Sequence, residues 1–308
     1  MMIRKACYAI IGRRSGQSDS AHKNLTELIV NFAHSAIRSG HCVMFDTETS
    51  VNFIHANGKN ALSSIAPQLM IVGSLEEVAE TVDVAVVFGG DGTMLNTSKY
   101  LAASEVPLLG INLGRLGFIT DVPSTFDPDL IIKMLDKKEY TIENRTMLNT
   151  LETTALNEIV ISRAAGKILE FRVYIDEEYA YQARGDGLMV STPTGSTAYA
   201  MSAGGAIINP TSRVFEVVPM MPQSLSCRPL IINDTSGVTF ELIHGEAEVY
   251  ADGIKIRDLT PPDIVEITIA QDQARFIHPR IIDKLTYSYY HTLREKLNWQ
   301  HLPGNPRD

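Results

Sequence analysis

From Ala6 to about residue 120 the chain alternates short apolar runs with segments of helical spacing, and this alternation constrains the fold more than any other feature. Ala6 to Ile11 reads as a buried strand closed by Gly12. Leu25, Leu28, Ile29, Phe32, Ala33, Ala36 and Ile37 then recur at helical spacing, and Gly40 stands where a C-terminal cap belongs. Cys42 to Phe45 is a second strand. Ser74 and Glu77 have the spacing of a capping box before Val78 and Ala79, and the β-branched run Val82 to Phe88 follows. Val106 to Ile111 repeats the strand pattern, and Asp127-Pro128 gives a cap and a first-turn proline to the helical Leu130, Ile131, Met134 and Leu135. This order predicts an α/β layer with a parallel sheet.

The pattern changes after about residue 140, where short alternating or apolar runs are bounded by turn residues. Phe171 to Ile175, Leu188 to Val190, Leu230 to Ile232, Val238 to Ile243, Ala247 to Tyr250, Ile264 to Ile269 and Arg275 to His278 read as strands of a β-rich half. Leu285, Tyr289, Leu293 and Leu297 recur in steps of four, which predicts a final helix over 285–299 that packs back on the body. Two domains are expected, an α/β domain over 1–140 and a β-rich domain over 141–284, with residues 303–308 a frayed end.

Composition excludes several classes of function. A formal charge of -9, with no stripe of Lys or Arg, gives no attraction for a nucleic-acid backbone. Cys7, Cys42 and Cys227 form no C-x-x-C pair, so a reducing compartment fits better than a disulfide framework or a zinc site. The apolar run before Gly12-Arg13-Arg14 is too brief for a signal segment or a membrane span, and a cytoplasmic location is expected. No G-x-S-x-G elbow occurs, and none of the eight His residues has H-E-x-x-H spacing.

Gly89-Gly90-Asp91-Gly92-Thr93 lies directly after a strand and before the helical stretch Met94 to Ala103. Glycines can take positive φ and allow a ligand close to the backbone, so N–H groups and a helix N-terminus can face a phosphate there. Asp91 suits such a loop if it accepts a proton or helps to hold a metal ion. The bland alternative makes Asp91 the N-cap of a tight turn. A second glycine-rich loop, Gly110 to Phe118, should lie on the same sheet edge, either as a cover for the first or as a direct binder.

A third cluster runs from Arg184-Gly185-Asp186-Gly187 to Ser191-Thr192-Pro193-Thr194-Gly195-Ser196-Thr197-Ala198-Tyr199 and on to Gly205. Its hydroxyls and small residues suit a polar pocket, in which Thr197, Tyr199 and Ser202 offer donors and a ring face to a planar, sugar-bearing ligand. Asn157 and Glu158 head the apolar run Ile159 to Ile161, where a buried polar pair needs hydrogen-bond partners. A ribose diol or an edge strand would supply them.

These segments together resemble the bacterial NAD kinases. The resemblance covers almost the whole chain and includes the Gly89 to Thr93 loop, Asn112 to Phe118, Asn157-Glu158 and Asp186 to Gly205. It extends to Arg228-Pro229-Leu230, Ala251-Asp252-Gly253 and Tyr287-Ser288-Tyr289. It implies a Rossmann-like N-terminal domain, a β-sandwich-like C-terminal domain, an active site between them, and a homodimer or homotetramer whose neighbour completes the pocket. It implies transfer of the ATP γ-phosphoryl group, with Mg²⁺ carried on the nucleotide, to the 2′-hydroxyl of the adenosine ribose of NAD. Asp91 maps onto the general base, and Gly89, Gly90, Gly92 and Thr93 onto the phosphate loop. Asp91, Gly92, Asn157, Glu158, Asp186, Thr197, Ala198, Tyr199 and Ser202 map onto NAD-binding positions. Lys167 and Arg184 map there through a loop of variable length, and Asp252 is an auxiliary carboxylate. The chain departs from the common pattern at Gln223, where His is usual, and at Ile254, where Gln is frequent. Two rivals stand beside this reading: a lipid kinase with the same glycine-Asp loop, for which no basic amphipathic helix is evident, and a non-catalytic NAD-binding module. Donor choice between ATP and inorganic polyphosphate stays open.

Overall fold

The computed structural model describes residues 6–12, 19–50, 70–114, 117–164, 166–280 and 288–299. Arg13, Arg14, Arg115, Leu116, Leu285, Tyr287 and 303–308, all named above, lie outside the described residues. The chain divides into two compact units, Met1–Glu143 with Arg275–Asp308, and Asn144–Ala274.

The first unit begins β1 (Cys7–Gly12), α1 (Asp19–Arg38), β2 (Cys42–Asp46), α2 (Thr47–Thr49) and β3 (Met70–Gly73). There follow α3 (Leu75–Thr81), β4 (Val84–Gly89), α4 (Asp91–Leu101), β5 (Leu108–Asn112), β6 (Val122–Pro123), α5 (Pro128–Lys137) and β7 (Tyr140–Arg145). The end signals act as the sequence predicts. Gly40 takes φ 86° after α1, and the Gly40 and His41 amides donate to the Ile37 and Ala36 carbonyls. Ser74 and Glu77 close a reciprocal capping box on α3, and Asp127 caps α5 ahead of Pro128.

The second unit carries β8 (Leu148–Thr150), β9 (Thr153–Ala155), β10 (Glu158–Arg163), β11 (Leu169–Ile175), β12 (Glu178–Gly185) and β13 (Gly187–Ser191). The short helix α6 (Tyr199–Ser202) precedes β14 (Val214–Met220), β15 (Leu230–Asn233), β16 (Val238–His244), β17 (Ala247–Ala251), β18 (Ile254–Leu259) and β19 (Ile264–Ile269). Two six-stranded sheets form, ordered β15-β14-β13-β10-β17-β18 and β12-β11-β16-β19-β8-β9. They share one core: Ile159, Ile161, Leu188, Val190, Phe215 and Val249 of the first sheet cluster with Phe171, Val173, Phe240, Leu242 and Val265 of the second. The period-2 alternation of side chains explains why Val160, Met189 and Val218 point the other way, into a smaller cluster with Ala200. Phe171 and Phe240 stack at 5.0 Å, a pairing worth about 0.5–1.5 kcal/mol beyond its buried area.

The strand Arg275 to His278, expected with the β-rich half, corrects the expected boundary. It forms β20 (Ala274–Pro279), parallel to β5 through Phe276 and Leu108, so the second unit ends at Ala274 rather than at 284. The first sheet then runs β3-β2-β1-β4-β5-β20-β7, with β6 on β5, and its first five strands are parallel. Its strand order reverses between β1 and β4, which makes the carboxyl ends of those two strands the place where an open sheet binds ligands. The final helix, α7 (Tyr289–Leu297), starts from the Ser288 cap; Leu293 is buried, and Lys296 Nζ lies 5.5 Å from the Phe118 ring centroid.

Candidate active site

At the switch point of the first sheet lies a cavity of about 390 Å³, lined among others by Gly12, Asp46, Gly90, Gly92, Thr93 and Tyr100. Gly90 takes the N-cap position of α4 and supplies no side-chain cap, so the first turn of that helix keeps donors for an anion. Of the two freedoms that glycine offers, Gly89, Gly90 and Gly92 do not use positive φ. What the glycines provide is space. A Cβ at Gly90 or Gly92 would meet no atom within 4 Å, so packing does not forbid a side chain at either position. Thr93, Asn96, Thr97 and Tyr100 follow on one face of α4 at helical spacing and also line the cavity. The sequence reading stopped at Thr93, although that spacing was available to extend it.

Asp91 is not the N-cap that the bland alternative required. It is the first residue of α4, and its carboxylate reaches across to the second glycine-rich loop. Oδ2 accepts from the Phe118 amide at 2.9 Å, while Oδ1 accepts from the Ile119 amide at 3.2 Å and the Thr120 hydroxyl at 3.3 Å. Gly117 is required here, because a Cβ would fall 2.1 Å from Asp91 Oδ1. Asp121, the next residue along, pairs with the buried His278. The second loop is thus a clamp on the carboxylate of the first.

In the second unit, Asp252 organises the Asn157-Glu158 turn. Asp252 and Gly253 form the β17–β18 turn with φ 48° and 78°, as a two-residue hairpin of that type requires. The Asp252 carboxylate then accepts from the amides of Leu156 at 2.8 Å, Asn157 at 2.7 Å and Glu158 at 3.1 Å. The hydroxyl-rich stretch locks onto the same turn: the Thr192 amide donates to the Asn157 carbonyl at 2.9 Å, and the Thr192 hydroxyl donates to that of Leu156 at 2.5 Å. A Cβ at Gly195 would lie 2.1 Å from the Asn157 carbonyl oxygen, so that position must be glycine.

The expected polar pocket therefore separates into two groups. Ser191, Thr192, Thr194 and Ser196 are buried with their hydroxyls bonded internally, Ser191 and Thr192 donating to the Asn157 and Leu156 carbonyls, Thr194 accepting from Arg145 and Ser196 donating to the Pro193 and Ile208 carbonyls, whereas Tyr199 and Ser202 are exposed and Asn157, Thr197 and Ala198 half-exposed. Asp186 pairs with Arg163 at 2.8 Å. Arg184 pairs with Glu170 at 2.6 Å and, with Lys167, Gln223 and His244, lines a separate cavity of about 340 Å³. The positive charge of Arg184 is therefore already offset by Glu170. Ile254 is exposed directly after the Asp252-Gly253 turn.

Beneath the 199–205 segment lies Glu216, which the sequence reading missed. It is fully buried, Oε1 accepts from the Ala206 amide at 2.7 Å, and Oε2 has no partner among the described residues. Burial pushes this carboxyl above the usual carboxylate range. A raised native value stabilises the fold below the unfolded value, near 4.5, and the stability is lost as pH rises through the native one. Glu216→Gln should therefore raise Tm at pH 7–8, with a gain that shrinks towards pH 4. Thermal unfolding across that range tests it, and a variant less stable at pH 8 than at pH 4 relative to the parent would contradict it.

Residues 10–140 match the family described as the ATP-NAD kinase N-terminal domain, and residues 156–279 match the ATP-NAD kinase C-terminal domain. The chain belongs to the NAD kinase family. It is 43% identical over 234 residues to the NAD kinase of Laribacter hongkongensis, covering 72% of this chain and 78% of that protein. It is 38% identical over 286 residues to the NAD kinase of Chromobacterium violaceum, covering 89% and 92%. In fold it is similar to yeast NADH kinase crystallised with NADH, at a TM-score of 0.82 and 20% identity over all of this chain and 91% of that one. NAD kinase membership accords with the glycine-Asp loop of the first unit and, separately, with the Asn157-Glu158 turn of the second.

Proposed function

We propose that the chain transfers the γ-phosphoryl group of ATP to the 2′-hydroxyl of the adenosine ribose of NAD, giving NADP. The observation that carries this reading is the open space beside Gly90 and Gly92, at the uncapped N-terminus of α4 and on a cavity at the sheet's switch point. Phosphoryl transfer needs alignment and charge neutralisation more than covalent chemistry. The glycine-loop amides bind phosphate oxygens, and the donor enters as its Mg²⁺ complex, the metal belonging to the substrate. Among the described residues no group of three or more His, Cys, Asp or Glu is placed to hold a metal ion.

Asp91 is the proposed base. Its two oxygens offer about four lone-pair sites, and the clamp fills three, so one acceptor position remains for the ribose hydroxyl. Asn157, Glu158, Asp186, Thr197, Ala198, Tyr199 and Ser202 are the proposed NAD-binding residues, supported by the hold of Asp252 on the Asn157-Glu158 turn, where Glu158 is buried, and by the full or partial exposure of Asn157, Thr197, Ala198, Tyr199 and Ser202. Lys167 and Arg184 are proposed at the cavity they share, with Arg184 exchanging its Glu170 partner for ligand. No described helix is long and apolar enough to cross a membrane, and we place the reaction in the cytoplasm, in a homodimer or homotetramer.

The open space beside Gly92 allows a substitution whose effects on fold and function have opposite signs. Gly92→Ala meets no atom and lies within a helix, so it should stabilise the protein by about 0.4–1 kcal/mol. The same methyl group intrudes on the phosphate path and should lower kcat/KM for ATP about 10²-fold. Thermal unfolding beside kinetics checks both effects. Equal activity in a stabilised variant would remove the phosphate from this loop. The reading as a whole is tested by incubating the protein with NAD, ATP and Mg²⁺ and following NADP with an NADP-specific dehydrogenase; lack of NADP formation by the folded protein would end it.

A further inference from the structure

The carboxyl end of β2 places a second acid in the switch-point cavity, one that the sequence motifs do not include. Asp46 is only 6% exposed and lines the cavity with Gly90 and Gly92. Its Oδ2 accepts from the Thr49 amide at 3.3 Å, capping α2, while Oδ1 has no hydrogen-bond partner among the described residues. The surrounding backbone is fixed: the Thr49 hydroxyl accepts from the Gly12 amide at 2.7 Å, tying β1 to the turn after β2. A buried carboxylate oxygen without a donor costs stability unless a ligand supplies one.

The chemistry of the cavity has a direction. The glycine loop and the α4 N-terminus suit phosphate, whereas a carboxylate repels phosphate and suits a hydroxyl donor. Glu48 lines the same cavity. Tyr100, 48% exposed, offers a ring face, and Ile11 and Leu75 offer apolar surface. From Gly92 to Tyr100, α4 rises about 12 Å, the scale of a nucleoside with part of its phosphate chain. The cavity, about 390 Å³, lies within the usual range of about 300–1,000 Å³ for small-molecule sites.

We propose that Asp46 binds the ribose of the phosphoryl donor, its Oδ1 accepting from the sugar hydroxyls of a nucleoside triphosphate whose phosphates lie along Gly90 and Gly92. This assignment rests on the phosphoryl-transfer reading and deepens it, because it names the residue that holds the ribose of the donor and thereby selects ATP over inorganic polyphosphate. Burial holds the Asp46 carboxyl above the usual carboxylate range, and donated hydroxyls offset that desolvation. Asp46 is a specificity residue here and takes no proton in the reaction.

The test compares ATP, 2′-deoxy-ATP, 3′-deoxy-ATP and tripolyphosphate as donors of the full chain, with calorimetric binding of the same four compounds. A hydrogen bond to a charged group carries a factor of about 10–100 in affinity. The unmodified protein should therefore lose about that factor in kcat/KM and in Kd with at least one deoxynucleotide. Asp46→Asn keeps an oxygen to cap α2 and should remove most of the discrimination, raising KM for ATP about 10–100-fold. It should leave tripolyphosphate, as donor or competitive inhibitor, bound as well as before or more tightly, because loss of the carboxylate removes only repulsion from phosphate. A parent protein that binds and uses both deoxynucleotides as well as ATP overturns the ribose assignment even if the variant does not fold. An Asp46→Asn effect equal for ATP and tripolyphosphate overturns it too. Failure to form NADP with any donor instead removes the underlying reading of function, while the binding arm still reads the ribose contact.

Discussion

Asp91→Asn is expected to lower kcat for NADP formation by about 10²–10⁴-fold, the usual cost of removing a positioned general base. It is also expected to lose stability, because the carboxylate is a clamp as well as a base. An amide in its place turns one acceptor into a donor that faces the Phe118 or Ile119 N–H, an unsatisfied contact costing about 1–3 kcal/mol. A drop in activity alone would therefore leave two causes mixed. Thr120→Val separates them, since it removes one donor from the same clamp and leaves the carboxylate in place. That variant should lose about 1 kcal/mol and keep kcat within a few-fold of the parent. If Thr120→Val slows turnover as much as Asp91→Asn, the carboxylate acts by holding the loop and not as a base. Unfolding and steady-state kinetics on both variants decide the matter.

Asp252→Ala should have the largest effect on the second unit. Three consecutive amides, those of Leu156, Asn157 and Glu158, lose their common acceptor, and the alanine must adopt φ near 48°. Water reaches this half-buried site and relieves part of the loss, so a total of about 3 kcal/mol is expected. Because the same turn presents Asn157 and Glu158, KM for NAD should rise about tenfold or more, the equivalent of about 1.4 kcal/mol. Asp252→Asn should lie between, since Asn tolerates the left-handed conformation and keeps one acceptor oxygen. A stable Asp252→Ala with unchanged KM for NAD would contradict this account of the turn.

The parts of the fold that could be read from sequence are those fixed by local chemistry. The caps at Ser74, Asp127 and Gly40 announce themselves because their partners lie within a few residues. The buried parallel strands are legible because both faces are apolar. β20 was assigned to the wrong half because nothing in Arg275 to His278 reveals a partner at Leu108. β12 escaped notice as the edge of its sheet, with Glu178, Tyr179 and Ala180 all exposed and no alternation to detect. β14 was hidden by Pro219. A proline is tolerated there because β15 pairs only with Val214 to Val217, so at Pro219 one side of the strand has no neighbour to receive an N–H.

The candidate site divides along the same line. Gly89 to Thr93 is visible as a phosphate-type loop because strand, glycines and helix are contiguous. The partners of Asp91 are not, since the donors come from residues 27–29 positions later in the chain. The excess of hydroxyls from Ser191 to Ser202 is visible in the sequence, but only burial separates the hydroxyls bonded internally from those that face outward. Asp252 was legible as an Asp-Gly hairpin signal, whereas its hold on Asn157 depends on a pairing between β10 and β17 that sequence spacing does not reveal.

The central claim concerns which bond forms, and phosphorus NMR of the reaction mixture reads that bond directly. With NAD, ATP and Mg²⁺ present, the account predicts a new phosphomonoester signal on the adenosine 2′-oxygen, one equivalent of ADP for each ester formed, and loss of both signals with Asp91→Asn. ATP consumed to ADP and free phosphate without a 2′-ester, or a phosphoryl group found on another hydroxyl, would contradict it.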